Sequence, residues 1–168
     1  MWHDGKAAPG QCEGCTFFNG HVREFSVLQS RDVTFATFCK GEWEAISRYR
    51  EFLGLEMPWY HLSAEAIESI ADGALVAYLR DGDRVFQTYA GTGRQCELMS
   101  NSYGLLDMTV YGRQETTEDS PEGWPQPFGG RGTQFRQGDR PILQWSRLEA
   151  GRSDDLGASH GGAMETSK

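Results

Sequence analysis

The chain has 168 residues, 38% of them apolar and 24% charged, a balance that supplies one soluble domain with a sizeable core and some extension. Against 24 acidic residues stand 16 basic ones, and the formal charge of −8 argues against nucleic acid or an anionic membrane surface as the main partner. No run approaches the roughly 18 apolar residues of a membrane span. The opening Met1-Trp2-His3-Asp4-Gly5-Lys6 lacks the basic-then-apolar layout of a signal peptide, so a cytoplasmic location is expected.

Residues 1–11 are polar and carry Gly and Pro, which reads as a loop. Cys12-Glu13-Gly14-Cys15 follows, and from Cys15 the apolar positions Phe18, Val22, Phe25 and Leu28 recur at helical spacing, with Phe17 widening the face. Val33 to Cys39 is β-branched, aromatic and apolar on both faces, the pattern of a strand buried on both sides. A second helix is expected from Glu42 to Leu53, with Trp43, Ile46, Tyr49, Phe52 and Leu53 inside and Gly54 as its stop. Met57 to Leu62 is extended, because Met57 stands before a proline. Ser63 is a fitting N-cap for a short helix that Asp72-Gly73 ends. Leu75–Arg80 and Arg84–Tyr89 form a hairpin around Asp81-Gly82-Asp83. Gly91-Thr92-Gly93 leads to a helix from about Gln95 to Leu106. After Glu115 the composition shifts to Pro, Gly, Ser and charge. Residues 1–115 are therefore expected to be the domain, 116–148 an irregular extension packed partly on it, and 149–168 a disordered tail.

The chemistry concentrates in the two thiols of Cys12 and Cys15. At the start of a helix, unpaired N–H groups and the positive end of the dipole favour a thiolate on Cys12, while Glu13 opposes it, so a modest depression of its pKa is expected. Cys15 lies one turn on and is placed to close a disulfide. Four cysteines (Cys12, Cys15, Cys39, Cys96) are too few and too unevenly spaced for a disulfide framework, and cytoplasmic disulfides are usually transient and catalytic. A zinc site would need two further ligands from His3, His21, Cys39 and His61, yet there is no second CxxC or HxxxH pair. Thr16 stands where covalent haem attachment needs histidine. Cys39 and Cys96 read as packing residues, with Cys96 as a second choice for a resolving thiol. Peroxide chemistry would call for an arginine beside Cys12, and Arg94 and Arg113 qualify by type alone. Trp59 and Tyr60 are core candidates that would otherwise line the site.

The order dithiol, helix, strand, helix, short strand, short helix, hairpin, helix matches a thioredoxin arrangement. The segments CEGCTFF (12–18), RDVTFATF (31–38), MPWY (57–60), YLRDGDRVFQTY (78–89), LLDMTVYGRQE (105–115) and WSRLEAGRSDDLG (145–157) resemble an uncharacterised bacterial thioredoxin-like family, a domain of unknown function distantly similar to peroxiredoxins. The resemblance implies an α/β thioredoxin-like sandwich with the dithiol at its active edge. Members carry an apolar strand ahead of the part matching Met1-Trp2-His3, so the sandwich is expected to lack that strand here, with Met1 internal to a longer protein or the chain truncated.

The function expected from these residues is thiol–disulfide oxidoreduction, with Cys12 as nucleophile and Cys15 as resolving thiol. No organic cofactor and no metal are implied, and the partner would be a thiol or disulfide, in a protein or a small molecule. The alternatives are a thiol peroxidase of peroxiredoxin type and a non-catalytic thioredoxin-fold binding module.

Overall fold

The computed structural model of the protein describes residues 6–69, 75–127 and 135–156. After a 3-10 turn at Ala8–Gly10 come helix α1 (Glu13–His21), the single turn α2 (Ser26–Gln29), strand β1 (Thr37–Cys39), helix α3 (Trp43–Leu53), strand β2 (Trp59–His61) and the short helix α4 (Ala64–Ser69). Next are strands β3 (Leu75–Asp81) and β4 (Arg84–Gly91), a 3-10 helix at Gly93–Met99 and helix α5 (Asn101–Leu106). The chain then forms the two-residue strands β5 (Arg136–Gln137) and β6 (Arg140–Pro141) and helix α6 (Ile142–Glu149). β1 and β2 pair in parallel with α3 as their crossover, while β3–β4 and β5–β6 are separate antiparallel hairpins. The protein is thus mixed α/β, built of helices and small sheets.

α3 supplies the centre of the core. Ile46, Tyr49, Phe52 and Leu53 recur at three- and four-residue spacing and are all buried. Against them pack Ala8, Cys39, Leu55, Met57, Trp59 and Leu156, flanked by Val22, Phe25, Phe35, Leu143 and Leu148. The helix ends where its sequence says it should. Gly54 is left-handed at φ +64°, its N–H reaches Glu51 O at 2.9 Å, and Leu55 N–H reaches Arg50 O at 3.1 Å, a Schellman stop.

A buried polar chain joins α1, α3 and α6. The Thr16 hydroxyl donates to Cys12 O at 2.8 Å, so at Tyr49 OH, 2.7 Å away, it must accept. Tyr49 in turn accepts from Gln144 Nε2 at 3.0 Å, and the same amide also donates to Ala8 O. Burial pushes the Tyr49 phenol up to about 12, which keeps it a donor throughout the physiological range. Beside this chain, Thr37 donates to Asn19 Oδ1 at 2.6 Å and Asn19 Nδ2 donates to Cys15 O at 2.9 Å. Gly20 makes the α1–α6 approach possible, since a Cβ there would stand 2.2 Å from Leu143 Cδ2.

Several expectations are corrected. The helix expected to run through Leu28 stops at His21, and Arg23 Nε takes the freed Gly20 carbonyl at 2.9 Å. The strand expected over 33–39 covers only Thr37–Cys39, and it is buried on one side: Thr37 and Cys39 point inward while Phe38 is exposed beside Tyr60. Trp43 is exposed rather than inside, because it lies one turn beyond the part of α3 that the core covers. The last helix is split at Ser100 into a 3-10 segment, begun by a Thr92/Gln95 capping box, and α5. Residues 116–148, expected to be irregular, contain the β5–β6 hairpin and α6, and α6 buries Gln144 in the core. The part of the expected disordered tail that is described, 149–156, is pinned by Arg140–Asp154 at 2.9 Å and by Leu156 in the core. Asp72-Gly73 and residues 157–168 lie outside the described residues. Other expectations stand, including the Ser63 cap, which takes Ala66 N–H at 3.2 Å, and the hairpin, whose Gly82 turns at φ +60°.

Replacing Tyr49 by Phe is expected to lower the unfolding free energy by about 1–3 kcal/mol, because Gln144 loses an acceptor and Thr16 a donor in a buried setting. Urea unfolding checks this, and an unchanged midpoint would show that the phenol does not hold the three helices together.

Candidate dithiol site

Cys12 is the N-cap of α1, with extended backbone, and its Sγ accepts the Cys15 N–H at 3.3 Å. The Cys12 thiol points at Cys15 Sγ, 2.8 Å away. Both cysteines are half-buried. One turn of helix thus brings the two sulfurs together at the point where the backbone leaves N–H groups without helical partners.

The electrostatics differ from the expected modest depression at Cys12. Its thiol is held well above the ordinary range, first by its own hydrogen bond to Cys15, then by burial and by negative charge on Cys15, with Glu13 adding a smaller push. The Cys15 N–H acts the other way. Loss of a second proton from the pair is therefore disfavoured, since two charges at this separation oppose each other strongly.

A set of residues remote in sequence positions this pair. Arg136 donates to Pro9 O at 2.8 Å, to Gln11 O at 3.1 Å and to Asp139 O at 2.9 Å, and it meets the Glu13 carboxylate at 3.3 Å. It clamps the loop entering α1 and sets a positive charge against the one residue between the thiols that carries a negative one. Phe135 covers Gly14, with its ring 3.8 Å from where a Cβ would stand, and packs on Phe17 at 4.6 Å between ring centres. Tyr49, Gln144, Arg136 and Phe135 were not legible as site residues, since the last three lie more than 100 residues from the motif and form no spaced pattern with it.

The remaining candidates are placed elsewhere or otherwise engaged. Cys39 is fully buried at the end of β1, and burial pushes its thiol up to about 12. Cys96 is buried too and raised by burial, with its thiol 3.9 Å from Gly91 O. Arg113 is held by Asp107 and Glu97 and lies over the Tyr103 ring, and Arg94 is paired with Glu97 and Glu115. His21 Nδ1 donates to Phe17 O at 2.7 Å and its Nε2 meets the Ser102 hydroxyl at 2.6 Å; His61 Nδ1 donates to Gly41 O at 2.7 Å. His3 lies outside the described residues. Among the described residues no group of three or more His, Cys, Asp or Glu is gathered as a metal site. Trp59 is core and Tyr60 is exposed.

A CxxC dithiol on a helix N-terminus, in a mixed α/β protein, is the site this chain presents. The chain belongs to a family described as a bacterial protein of unknown function (DUF899), whose model matches residues 1–140 and so includes the dithiol and the Arg136 clamp. No curated protein and no solved structure matches it. Among the described residues no helix is long and apolar enough to cross a membrane.

Two outcomes follow from this geometry. Replacing Cys15 by Ala removes two of the causes that raise Cys12, the side-chain hydrogen bond and the charge on Cys15, and leaves the N–H that lowers it, so the Cys12 titration should move down and its alkylation at pH 8 should quicken. Site-resolved mass spectrometry across pH reads this, and an unmoved profile would mean that burial alone retains the proton. Replacing Arg136 by Met should shift the pair's alkylation profile to higher pH by leaving Glu13 uncompensated. Adding Glu13→Gln should shift it back; persistence of the shift in the double variant would trace it to the loop clamp instead.

Proposed function

We propose that the protein is a thiol–disulfide oxidoreductase of thioredoxin-like arrangement, working through Cys12 and Cys15. The observation that carries this reading is the 2.8 Å approach of the two sulfurs at the N-terminus of α1, with Cys12 Sγ receiving the Cys15 N–H. The parallel β1–α3–β2 unit, the antiparallel β3–β4 hairpin and the dithiol helix are elements that such a sandwich also uses, and they support the reading, although β1–β2 and β3–β4 form separate sheets here.

In the reaction the pair starts with one proton and one negative charge. When the proton sits on Cys15, the charge on Cys12 is met by the Cys15 N–H at the helix end. Cys12 Sγ attacks one sulfur of the substrate disulfide, a Cys12–substrate bond forms, and the substrate S–S bond breaks. The departing thiolate takes the Cys15 proton. Cys15 then attacks Cys12 Sγ, which releases the second substrate sulfur as a thiolate and leaves the 12–15 disulfide. Two electrons have passed from protein to substrate, and an external thiol donor returns them. Cys39 and Cys96 take no part, since burial keeps both protonated.

Redox titration with thiol trapping tests the proposal. Cys12 and Cys15 should oxidise together as a two-electron couple, and Cys15→Ser should accumulate a mixed disulfide at Cys12 that Cys12→Ser does not. The absence of a 12–15 disulfide at any poise would overturn the reading in favour of a binding module. Rapid consumption of hydrogen peroxide by the reduced protein, without disulfide reductase activity, would overturn it in favour of a peroxidase.

A further inference from the structure

His21 is the last residue of α1, and Ser102, 81 positions on, lies in the first turn of α5. Nδ1 of His21 faces Phe17 O at 2.7 Å, and a carbonyl only accepts, so Nδ1 carries the proton. In the neutral ring Nε2 is then the acceptor, and the Ser102 hydroxyl, 2.6 Å away, donates to it. The Phe17 ring meets the imidazole edge to face at 4.4 Å between ring centres and steadies its plane.

Helix capping accounts for half of this arrangement, since a histidine in the last turn of a helix commonly bonds a carbonyl there. It does not call for the serine. Both residues are half-buried and within reach of water, so neither needs the other to escape a desolvation cost. Nor does Ser102 cap its own helix, where the N-cap position belongs to Ser100. A hydroxyl that donates to a histidine whose other nitrogen is oriented by a third group is the arrangement of an activated nucleophile. The Phe17 carbonyl does the tautomer-fixing part of a triad carboxylate, and the wrong tautomer costs a serine hydrolase about 10⁴-fold. A carbonyl bears no full charge and supports an imidazolium less than a carboxylate does, so the pair needs a substrate with a good leaving group.

We propose that Ser102, with His21 as its general base, cleaves aryl esters of short acyl groups, independently of the redox chemistry of the dithiol. The Phe17 ring that touches His21 also meets Tyr103 at 5.2 Å and Phe135 at 4.6 Å, so an aromatic cluster stands beside the pair. Leu105, three residues past Ser102 and so on the same side of α5, is 59% exposed. A Cβ on Gly104 would meet nothing within 4 Å, which leaves the approach from this side open. These apolar neighbours favour an aryl or acyl body over a polar one. In the reaction Ser102 Oγ attacks the ester carbonyl carbon and its proton passes to His21 Nε2. The bond from that carbon to the aryl oxygen breaks, and the departing phenolate takes the proton. Water then attacks acyl-Ser102 and gives a proton to His21 Nε2. The carboxylic acid leaves, and Ser102 Oγ recovers the proton.

Treatment of the full, reduced chain with an alkyl fluorophosphonate, which captures activated serines and spares thiols, tests this, with the adduct located by peptide mass spectrometry. The adduct should form on Ser102 and not on Ser146, an exposed serine whose hydroxyl donates only to Leu143 O. His21→Gln should slow the capture by about 100-fold, as loss of a general base does, with the thermal midpoint read alongside. The unsubstituted chain should also release p-nitrophenolate from p-nitrophenyl butyrate over repeated turnovers, and prior fluorophosphonate treatment should stop the release. No adduct on Ser102, or capture as fast in a folded His21→Gln variant, would overturn the proposal. Release that survives fluorophosphonate would come from the thiols and would overturn it too. An adduct on Ser102 without ester turnover would overturn the hydrolysis and leave a serine that only accepts an acyl or phosphonyl group.

Discussion

The phenol of Tyr49 is the point at which the dithiol helix, the core helix and the C-terminal helix meet. It donates to Thr16, one residue beyond Cys15, and accepts from Gln144, which also holds Ala8 ahead of the motif. A buried hydroxyl without partners costs about 1–3 kcal/mol, so each of these groups constrains the others. The position of the two sulfurs follows. Thr16 ties the Cys12 carbonyl, Asn19 ties the Cys15 carbonyl, and both lead to residues of β1 and α3 that the apolar core has already fixed.

The C-terminal segment is part of the site as a consequence. Gly20 lets α6 come against α1, Gln144 closes the polar chain, Phe135 covers Gly14 and Arg136 fastens the loop before Cys12. In sequence this segment is a Pro- and Gly-rich stretch with scattered apolar residues. The residue that α6 buries most deeply is a glutamine, which an apolar pattern does not pick out. Leu143 and Leu148 pack α6 on the core, and the hydrogen bonds of Gln144 fix it further; hydrogen bonding between distant residues leaves no periodic trace.

At the dithiol two electrostatic arguments compete. Helix position favours charge on Cys12, and position was all that the spacing of the motif could express. Proximity favours retention of a proton, and the 2.8 Å contact makes it the larger effect. Arg136 adds a third contribution by facing Glu13, so the acid inside the motif acts against a charge brought from the far end of the chain. The same logic of distant cations governs the α3 terminus, where Arg23 and Arg152 satisfy carbonyls left open by the Schellman stop.

What the sequence determined by itself is local. The Gly54 stop of α3, the Ser63 cap, the Gly82 turn of the hairpin and the placing of Cys12 and Cys15 on one helical turn all depend on neighbours within a few residues, where φ preferences and capping decide. Tertiary structure decided the rest. Val33–Cys39 is apolar on both faces in sequence, but only one face meets α3, so half its expected burial is absent. Trp43 keeps the helical period of its neighbours and is still exposed, because periodicity gives the direction of a side chain and not whether another element stands there. The Tyr49–Gln144 bond and the Arg136 clamp join residues separated by 95 and 125 positions, and only the packed chain brings such groups within reach of the dithiol.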